Sequence, residues 1–580
     1  MMAHYELRDT PTGMKTLVLT GEREIKFHSS FDPVREAQRA VLSFACGRAT
    51  HIAVCGLGLG YHIKLLREQF PGRTIIVIER DNEIVTIARA TYPGHIDDAA
   101  VITSLNDVPA ALETMGVDSF RGLAVFFHRP SYNLDKEFYD TLLADINRFF
   151  SSKLSDLLTR FEFEERWIEN IFHNIHKLYG AVPVQRLFGK FRGYPGIIVS
   201  AGPSLRANVG ALNRLRDRAL IVCVDTALKV LLKYNIRPHL VMTIDAQKHS
   251  LKHFFGAESA GIPLLADIVS YPRISDRAAG ITIFSTTSKY YTDADGNTHR
   301  EPTPVMDWVE RFIPPIGDIQ SGGSVATSAF DLLLNLGCSP IILAGQDLAY
   351  TGREIHCTGT HHNEGWLAAT TRFSNLESIN QGVIRKRKIK YVEAYGGGST
   401  VISDYVFDLY KSWFEDSAMK VPFKVINATE GGARIRNTVE TTLASLAETL
   451  PAAKKSPESV LHNAATCAFG DPSILHAAII AAIEAVDTVR KTADNALSQN
   501  NAGGIEACAR AVTGNDVAPL FNPFLRRTNV YLSRHSGLSA EKALSILATD
   551  IASASNRLLQ LLAAGKEATA KLTPKRHGTI

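Results

Sequence analysis

Aspartates follow directly after several short apolar runs in the middle of this sequence. A run of four or five apolar residues predicts a buried strand, and its repeated alternation with helical patterns predicts a parallel α/β sheet. In such sheets, binding groups gather at the carboxyl ends of the strands. The aspartates at these ends are Asp225, Asp245, Asp267 and Asp347. Helix capping explains one such residue more easily than four, so we expect at least two to contact substrate or a metal ion.

Two turns built from small residues also follow predicted strands and lead into helical patterns. Backbone N–H groups at a helix N-terminus can hold a phosphate, and glycine lets a ligand approach the backbone closely. The first turn is Ala201, Gly202, Pro203 and Ser204, and the second is Ser321, Gly322, Gly323 and Ser324. Ser204 has an alternative role, because a serine at this place also caps a helix. Both turns are candidate cradles for a phosphate or a sugar.

A polar loop with three histidines, Leu348–His362, follows Asp347. Histidine titrates near neutral pH and is a common metal ligand, so the loop is suited to acid–base chemistry or to metal binding. His356 comes soonest after the strand end and is the first candidate. A solvated loop histidine is the alternative for each of the three.

The length and composition indicate which elements must position these groups. The 580 residues are 45% hydrophobic and 21% charged, as in ordinary soluble proteins, and this length predicts three or four domains. The net charge of +4 gives no support for a dedicated nucleic-acid-binding protein. We expect an N-terminal Rossmann-like domain at 1–155, a linker helix at 156–192, a central parallel α/β domain at 193–450 and a C-terminal helical domain at 451–580.

The N-terminal segment contains a glycine-rich turn between a predicted strand and a helix. The strand at 52–55 runs into Gly56-Leu57-Gly58-Leu59-Gly60, and a second strand at 74–78 ends in Glu79. This spacing is typical of a dinucleotide or adenosyl-methionine site in which the acid binds a ribose. The turn lacks the full GxGxxG form, so a scaffold in which the glycines only make the turn is the alternative.

Amphipathic helices are predicted in the remaining segments. Residues 157–178 carry apolar and aromatic side chains at helical spacing and predict one long connecting helix. Alanine-rich stretches at 474–497 and 541–562 predict a helical bundle. No apolar run approaches the roughly 18 residues of a membrane span, and the N-terminus lacks a signal-peptide pattern. Together with seven scattered cysteines, typical of a reducing compartment, this predicts a cytoplasmic protein.

Several segments together resemble one family. They are Ser-Ala-Gly-Pro-Ser-Leu at 200–205, Val-Asp-Thr-Ala-Leu-Lys at 224–229, Arg-Pro-His-Leu-Val-Met-Thr-Ile-Asp at 237–245, Gly-Gly-Ser-Val-Ala at 322–326, Gly-Gln-Asp-Leu-Ala-Tyr-Thr at 345–351, and further matches at 28–33, 394–401, 410–415 and 427–433. This combination resembles the motility-associated factor (Maf) glycosyltransferases over about residues 20–450. The core is also similar to archaeal hydroxymethylpterin pyrophosphokinases, and the two turns look like those of bacterial sialyltransferases that use CMP-sugars.

The resemblance implies transfer of a nonulosonic acid, of pseudaminic or legionaminic type, from a CMP-sugar to Ser or Thr of flagellin, in support of flagellum assembly and motility. The implied nucleotide-sugar contacts are Ala201, Gly202, Pro203, Ser204, Asp225, Thr226, Ser321, Gly322, Gly323, Ser324 and Gln346. Asp347 or His356 would act as the general base. Asp245 would take part in catalysis, and Asp245 and Asp347 would hold Mg²⁺ or another divalent cation if one is needed.

Two other functions stay open at this point. The shared core favours a hydroxymethylpterin pyrophosphokinase that uses ATP and Mg²⁺. The large flanking segments argue against it, because a small-molecule kinase needs no surfaces for a protein acceptor. The third function is a methyltransferase or a non-catalytic binding protein built on the N-terminal Rossmann-like domain.

Overall fold

The computed structural model describes residues 4–572, apart from 98, 105–106, 114–119, 293–296, 454, 465–468, 500–501 and 536. The chain forms two compact units. The first unit comprises Met1–Glu162, Tyr290–Arg300 and Arg526–Ala543, and the second comprises Phe163–Lys289, Glu301–Leu525 and Leu544–Ile580. The domain boundaries expected near 155, 192 and 450 stay predictions, because compactness alone does not define where an independently folding domain begins.

The first unit contains a small antiparallel sheet and a parallel sheet. Its strands are β1 His4–Asp9, β2 Lys15–Thr20, β3 Ile25–Lys26, β4 His51–Cys55, β5 Thr74–Ile78, β6 Ala100–Ile102 and β7 Leu123–Phe127. Strands β1 to β3 form the antiparallel sheet, and the parallel sheet has the order β6-β5-β4-β7. Every residue of β4 is buried, as expected for a central strand covered on both faces. The strands predicted at 52–55 and 74–78 are confirmed.

Helices connect the strands of the first unit. They are α1 Pro33–Leu42, α2 Tyr61–Gln69, α3 Asn82–Thr91, α4 Asp107–Glu113, α5 Arg129–Leu134 and α6 Lys136–Asn174. Asp32 caps α1 by accepting a 3.0 Å hydrogen bond from the N–H of Arg35, which is the usual role of an N-cap aspartate. Helix α6 is 39 residues long. It therefore starts about twenty residues before the start predicted from its aromatic spacing.

The second unit is built on a large sheet whose pairings are all parallel among the described residues. Its strands are β8 Val182–Pro183, β9 Gly196–Val199, β10 Leu220–Val224, β11 Leu240–Thr243, β12 Leu264–Asp267, β13 Thr282–Ser288, β16 Asp318–Gln320, β17 Ile341–Ala344, β20 Val425–Asn427 and β21 Thr438–Glu440. The order is β16-β13-β12-β11-β10-β9-β17-β20-β21, with β8 beside β13. The chain moves outward from β9 and later returns to β17 on its other side. Loops diverge at such a reversal and leave a crevice for ligands.

Two hairpins lie outside this sheet. One is β14 Tyr290–Thr292 with β15 Thr298–Arg300, and the other is β18 Ile389–Glu393 with β19 Thr400–Asp404. The first belongs to the first unit and the second to the second unit. The β18–β19 hairpin follows the histidine loop, so it lies in the part of the chain between β17 and β20.

Helices of the second unit pack on the sheet or extend beyond it. They are α7 Leu205–Asn208, α8 Leu212–Leu215, α9 Asp225–Lys233, α10 Pro272–Asp276, α11 Pro304–Val309, α12 Val325–Leu336, α13 His361–Leu367, α14 Leu376–Ile384, α15 Tyr405–Lys420, α16 Leu443–Thr449, α17 Pro457–Ala464, α18 Pro472–Gln499, α19 Ala502–Thr513, α20 Ala518–Arg534 and α21 Ala540–Ala570. Helix α20 ends in the first unit and α21 begins there. The single helix predicted after Ser204 is wrong, because a 3₁₀ turn separates two four-residue helices.

Helices α18 and α21 each bury one face. Buried residues recur at alternating spacings of four and three in both helices: Leu475, Ile479, Ala482, Val486, Val489, Ala493 and Ala496 in α18, and Ala548, Ile551, Ser555, Leu558, Leu562, Gly565 and Thr569 in α21. This spacing places the buried side chains of each helix on one side. The ring of His476 lies 2.9 Å from the hydroxyl of Thr569, so the first turn of α18 lies beside the last turn of α21.

One helix among the described residues, Pro472–Ser498, is long and apolar enough to cross a membrane by length and composition alone. Its buried stripe belongs to the hydrophobic core that also contains the central sheet. A core helix of a globular protein passes the same test of length and composition.

Candidate functional site

The turn after β9 is held against the segment after β17. The hydroxyl of Ser204 donates to Asp347 Oδ1 at 2.7 Å, and the hydroxyl of Thr351 donates to Asp347 Oδ2 at 2.6 Å. The hydroxyl of Ser200 donates to Gln346 Oε1 at 2.5 Å. Two adjacent strands thus bring Ala201–Ser204 and Gln346–Asp347 together at the crevice of the sheet, as their positions at strand ends predict.

The glycine at position 202 serves this contact within the chain. A Cβ on Gly202 would lie 2.0 Å from Asp347 Oδ1 and 2.4 Å from the carbonyl of Gly345. The space that we expected a ligand to use is therefore filled by Asp347. Ser204 does not cap a helix either, because its side chain makes no capping bond and the helix after it has only four residues. A helix this short contributes little dipole, which weakens the predicted phosphate cradle.

The four strand-end aspartates differ in their access to solvent. Asp225, Asp267 and Asp347 are buried. The Asp225 carboxylate accepts hydrogen bonds from Thr226 and Thr243, the latter at 2.7 Å. Asp245 is the exception, with 32% of its side chain exposed. Only Asp245 among the four is thus placed to touch a substrate without a rearrangement.

A histidine cluster forms beside these aspartates. His253 lies 5.2 Å from His362, and His362 lies 5.0 Å from His356, measured between ring centroids. His249 Nε2 is 3.6 Å from Asp245 Oδ2. The Nδ1 atoms of His253 and His362 are buried and have no hydrogen-bond partner among the described residues. Unpartnered polar atoms of this kind are available to a ligand.

Burial keeps most of this cluster uncharged. Removal from water, together with the neighbouring imidazoles, lowers the pKa of His253, His356 and His362 to about 4 each. Burial also raises the pKa of Asp347, while its hydrogen bonds from Ser204 and Thr351 act in the opposite direction. At neutral pH these three imidazoles are therefore neutral, and each has a ring nitrogen that can accept a hydrogen bond.

The second predicted turn contacts a different helix. Ser324 caps α12 in a capping box with Thr327, and the hydroxyl of Thr327 accepts from the N–H of Gly322 at 3.0 Å. A Cβ on Gly322 would lie 2.5 Å from Trp413, and one on Gly323 would lie 2.9 Å from Tyr410. The turn thus supports α15, and no hydrogen bond joins it to the other predicted site residues within the described part of the chain. Its role in nucleotide binding stays a prediction.

Asp245 and Asp347 do not form a ready-made metal site. Among the described residues, no group of three His, Cys, Asp or Glu side chains could hold a metal ion. The Asp245 carboxylate already accepts from Gln247 N at 2.9 Å and from Ser250 Oγ at 2.5 Å. These contacts leave room for a metal ion only if it binds one carboxylate of the protein together with the phosphate of the donor.

The glycine-rich turn of the first unit is filled by its own chain. Glu79 Oε2 accepts from the N–H of Leu57 at 2.7 Å, and His28 Nε2 accepts from the N–H of Leu59 at 2.7 Å. A Cβ on Gly58 would lie 2.5 Å from that histidine ring, and one on Gly56 would lie 2.3 Å from Ser131. The acid and the two amides that a dinucleotide would need are thus already bonded within the chain, Glu79 to the Leu57 amide and His28 to the Leu59 amide. These contacts favour the scaffold alternative.

Comparison with known proteins assigns the fold. The chain matches the structure of the MAf glycosyltransferase from Magnetospirillum magneticum AMB-1 with a TM-score of 0.51, at 14% identity, over 98% of this chain and 90% of that one. The chain has the Maf glycosyltransferase fold. The α/β class predicted from sequence, with its Rossmann-like start, central parallel sheet and helical end, is confirmed. Residues 169–353 also match the family described as "6-hydroxymethylpterin diphosphokinase MptE-like", as the shared core predicts.

Three relatives in Treponema pallidum (strain Nichols) carry the description "Uncharacterized protein". They are 24% identical over 364 residues, 24% identical over 221 residues and 27% identical over 203 residues. These matches cover 61%, 37% and 31% of this chain, and 61%, 74% and 50% of the relatives. The chain thus spans about three fifths of the first relative's length, and the relatives' descriptions assign no activity.

Sequence reasoning missed one pair of histidines and one contact between segments in this Maf-fold site. His249 and His253 stand four residues apart directly after Asp245, a spacing that puts two side chains on one side of a helical turn. That signal was present in the sequence. Tyr410 and Trp413 cover the second turn, and no local pattern reveals this contact, because α15 lies about ninety residues further along the chain.

Proposed function

We propose that this protein is a glycosyltransferase that moves a sugar from a nucleotide-activated donor to a hydroxyl group of a protein. The observation that carries the proposal is the likeness to the Maf glycosyltransferase over 98% of the chain. The crevice between β9 and β17 supports it, because such a reversal of strand order is where nucleotides bind in parallel sheets.

The donor that we propose is a CMP-activated nonulosonic acid of pseudaminic or legionaminic type, and the acceptor is a Ser or Thr of flagellin, modified in the cytoplasm in support of flagellum assembly and motility. The bond between the anomeric carbon and the phosphate oxygen breaks, and CMP leaves. The acceptor oxygen forms the new bond to the anomeric carbon, and its proton passes to a base. A folded protein acceptor requires that base to be reachable from solvent.

His249 is the base that best meets this requirement. Its side chain is 52% exposed, and the Asp245 carboxylate 3.6 Å away would stabilise the imidazolium formed by proton transfer. The distance is longer than a hydrogen bond, and such contacts often tighten when substrate binds. His356, one of the two bases expected from sequence, lies behind the turn that contains Ala201: the N–H of the next residue, Cys357, donates to the Ala201 carbonyl at 2.8 Å. Asp347 positions the same turn.

The test is the intact mass of purified flagellin after incubation with this protein and CMP-pseudaminic or CMP-legionaminic acid. We expect a mass gain of one nonulosonic acid residue per modified site. His249→Gln should lower kcat by about 10²–10⁴, and His173→Gln, an exposed histidine outside the site, should match the wild type. Absence of a mass gain with both donors, from protein that circular dichroism shows to be folded, contradicts the proposal.

A second candidate is diphosphoryl transfer from ATP to a hydroxymethylpterin. The family match over residues 169–353 favours it. That match ends before His356 and before the β18–β19 hairpin, so it leaves much of the second unit without a role. AMP release from ATP that depends on 6-hydroxymethyl-dihydropterin, measured in parallel with the flagellin assay, separates the two functions.

A further inference from the structure

The β18–β19 hairpin has one covered edge and one free edge. Tyr391 pairs with Ile402, and the carbonyl of Ile402 accepts from the N–H of Tyr350 at 2.8 Å on the outer side of β19. In an antiparallel pair of strands, the N–H and C=O groups of two opposite residues either bond to each other or both point away from the partner strand. The N–H and C=O groups of Tyr391, and of Ile389 two residues earlier, therefore point outward from β18.

This free edge leads to the candidate site. The N–H of Arg434 donates to the carbonyl of Glu393 at 2.8 Å, so residues 432–434 cover the far end of β18. In the described part of the chain, no hydrogen bond outside the hairpin reaches the backbone of Ile389 or Tyr391. The N–H of Ala433 in turn donates to the carbonyl of Asp347 at 2.7 Å. A strand added along β18 would thus lie in line with residues 432–434, and this segment contacts Asp347 in the loop after β17.

The side chains along this edge are exposed and cationic. Tyr391 is 67% exposed and Ile389 is 46% exposed. Arg385-Lys386-Arg387-Lys388 directly precedes β18, and all four side chains are exposed. Among the described residues, none of the four forms an ion pair with a carboxylate within 4.0 Å. Lys390, on the opposite face, bonds Asp408 at 2.6 Å and anchors the hairpin to α15.

We propose that the free edge of β18 binds an extended, acidic segment of the protein acceptor as an added strand. Main-chain hydrogen bonds along an exposed edge supply affinity, and the alternating side chains supply selectivity. Four cations without carboxylate partners complement an acidic segment. They also oppose pairing between two copies of this edge, since like charges repel. The proposal rests on the proposed function for the statement that the acceptor is a protein.

The first test uses Tyr391→Pro in the full chain, with purified flagellin as the probe in a binding titration. Proline removes the outward N–H and leaves the bonds of Lys390 and Val392 to β19 in place. The second variant combines Arg385→Glu with Lys388→Glu. Its matched control combines Lys420→Glu with Lys424→Glu, two exposed lysines of the same unit. We expect Kd for flagellin to rise about tenfold in both test variants and to stay within twofold of the wild type in the control.

Release of CMP from the donor without acceptor is measured alongside, and we expect all variants to match the wild type. Unchanged flagellin Kd in both test variants overturns the docking proposal. Absence of a mass gain of flagellin with the wild type and either donor overturns the proposed function instead, and the binding titration still decides the docking question. Binding of polyuridylic acid and of phosphatidylserine vesicles is also measured. If only the Arg385→Glu, Lys388→Glu variant loses such binding while its Kd for flagellin is unchanged, the cationic segment at 385–388 binds nucleic acid or lipid, and the proposal is overturned.

Discussion

Asp347 is the residue on which the turn after β9 depends most directly. Its buried carboxylate accepts bonds from the backbone and hydroxyl of Ser204 and from the hydroxyl of Thr351, and Gly202 leaves room for it. A group with this many internal partners positions a loop. A general base needs a free lone pair that faces the acceptor.

Replacing Asp347 by alanine should lower the free energy of unfolding by about 1–3 kcal/mol, because three partly buried donors lose their acceptor. The rate of sugar transfer should fall as well. Asp347→Asn should keep most of the stability and most of the transfer activity, since an amide can accept a hydrogen bond from Ser204 and donate one to Thr351. Urea unfolding and transfer assays check this, with the exposed Asp217→Ala as control. An asparagine variant as inactive as the alanine variant, yet as stable as the wild type, would assign the carboxylate a chemical role.

At the scale of elements, the last turns of α21 are held against α6 and α18. A Cβ on Gly565 would lie 3.2 Å from Phe172 of α6 and 3.5 Å from Ile479 of α18, so three helices meet closely there. Small residues at such positions allow helices to approach. The apolar face of α18 is thereby explained by packing within the protein core.

Leu558→Ala should lower the free energy of unfolding by about 2–5 kcal/mol, because the side chain is fully buried in α21 and its removal leaves a cavity. Asn556→Ala, on the exposed side of the same helix, should change stability by less than about 0.5 kcal/mol. Urea unfolding followed by circular dichroism measures both. Equal stability of the two variants would mean that the buried face of α21 does not contribute to the stability of the fold.

At the scale of the whole molecule, both units bury uncharged imidazoles. In the first unit, His62 stacks on His128 with ring centroids 4.7 Å apart. Burial lowers the pKa of His62 to about 4 and the pKa of His28 and His128 well below the ordinary value. In the second unit, burial lowers the pKa of His239 to about 4. Each of these rings takes up a proton when its unit unfolds in acid.

Stability should therefore fall as the pH falls from about 6.5 towards 4, since the unfolded state binds more protons in this window. A histidine with a folded pKa of about 4 contributes about 2 kcal/mol to the loss between pH 7 and pH 5. His62→Gln should reduce the slope of melting temperature against pH, and the exposed His4→Gln should leave it unchanged. Calorimetry between pH 7 and pH 5 checks this. A steeper slope in the His62 variant would contradict it.

The strands were predictable because their signal is local. Apolar runs such as Leu220–Val224 and Ile341–Ala344 are strands in the structure, and the polar residues after them stand at the carboxyl ends. The break after Asn208 was not predictable from spacing, since Leu205, Val209, Leu212 and Leu215 suit one continuous helix equally well. The tertiary core around this segment decides its path.

The sequence by itself determined the fold class, the parallel sheet and the residues at its carboxyl edge, because hydrophobic periodicity and strand-end chemistry are written in consecutive residues. Only the tertiary structure decided which of those residues remain accessible. In the folded chain, Asp347 fills the space beside Gly202 and Glu79 accepts from the Leu57 amide. Asp245 and His249 stay partly exposed. Those outcomes depend on contacts between distant segments, whose long-range packing no local pattern encodes.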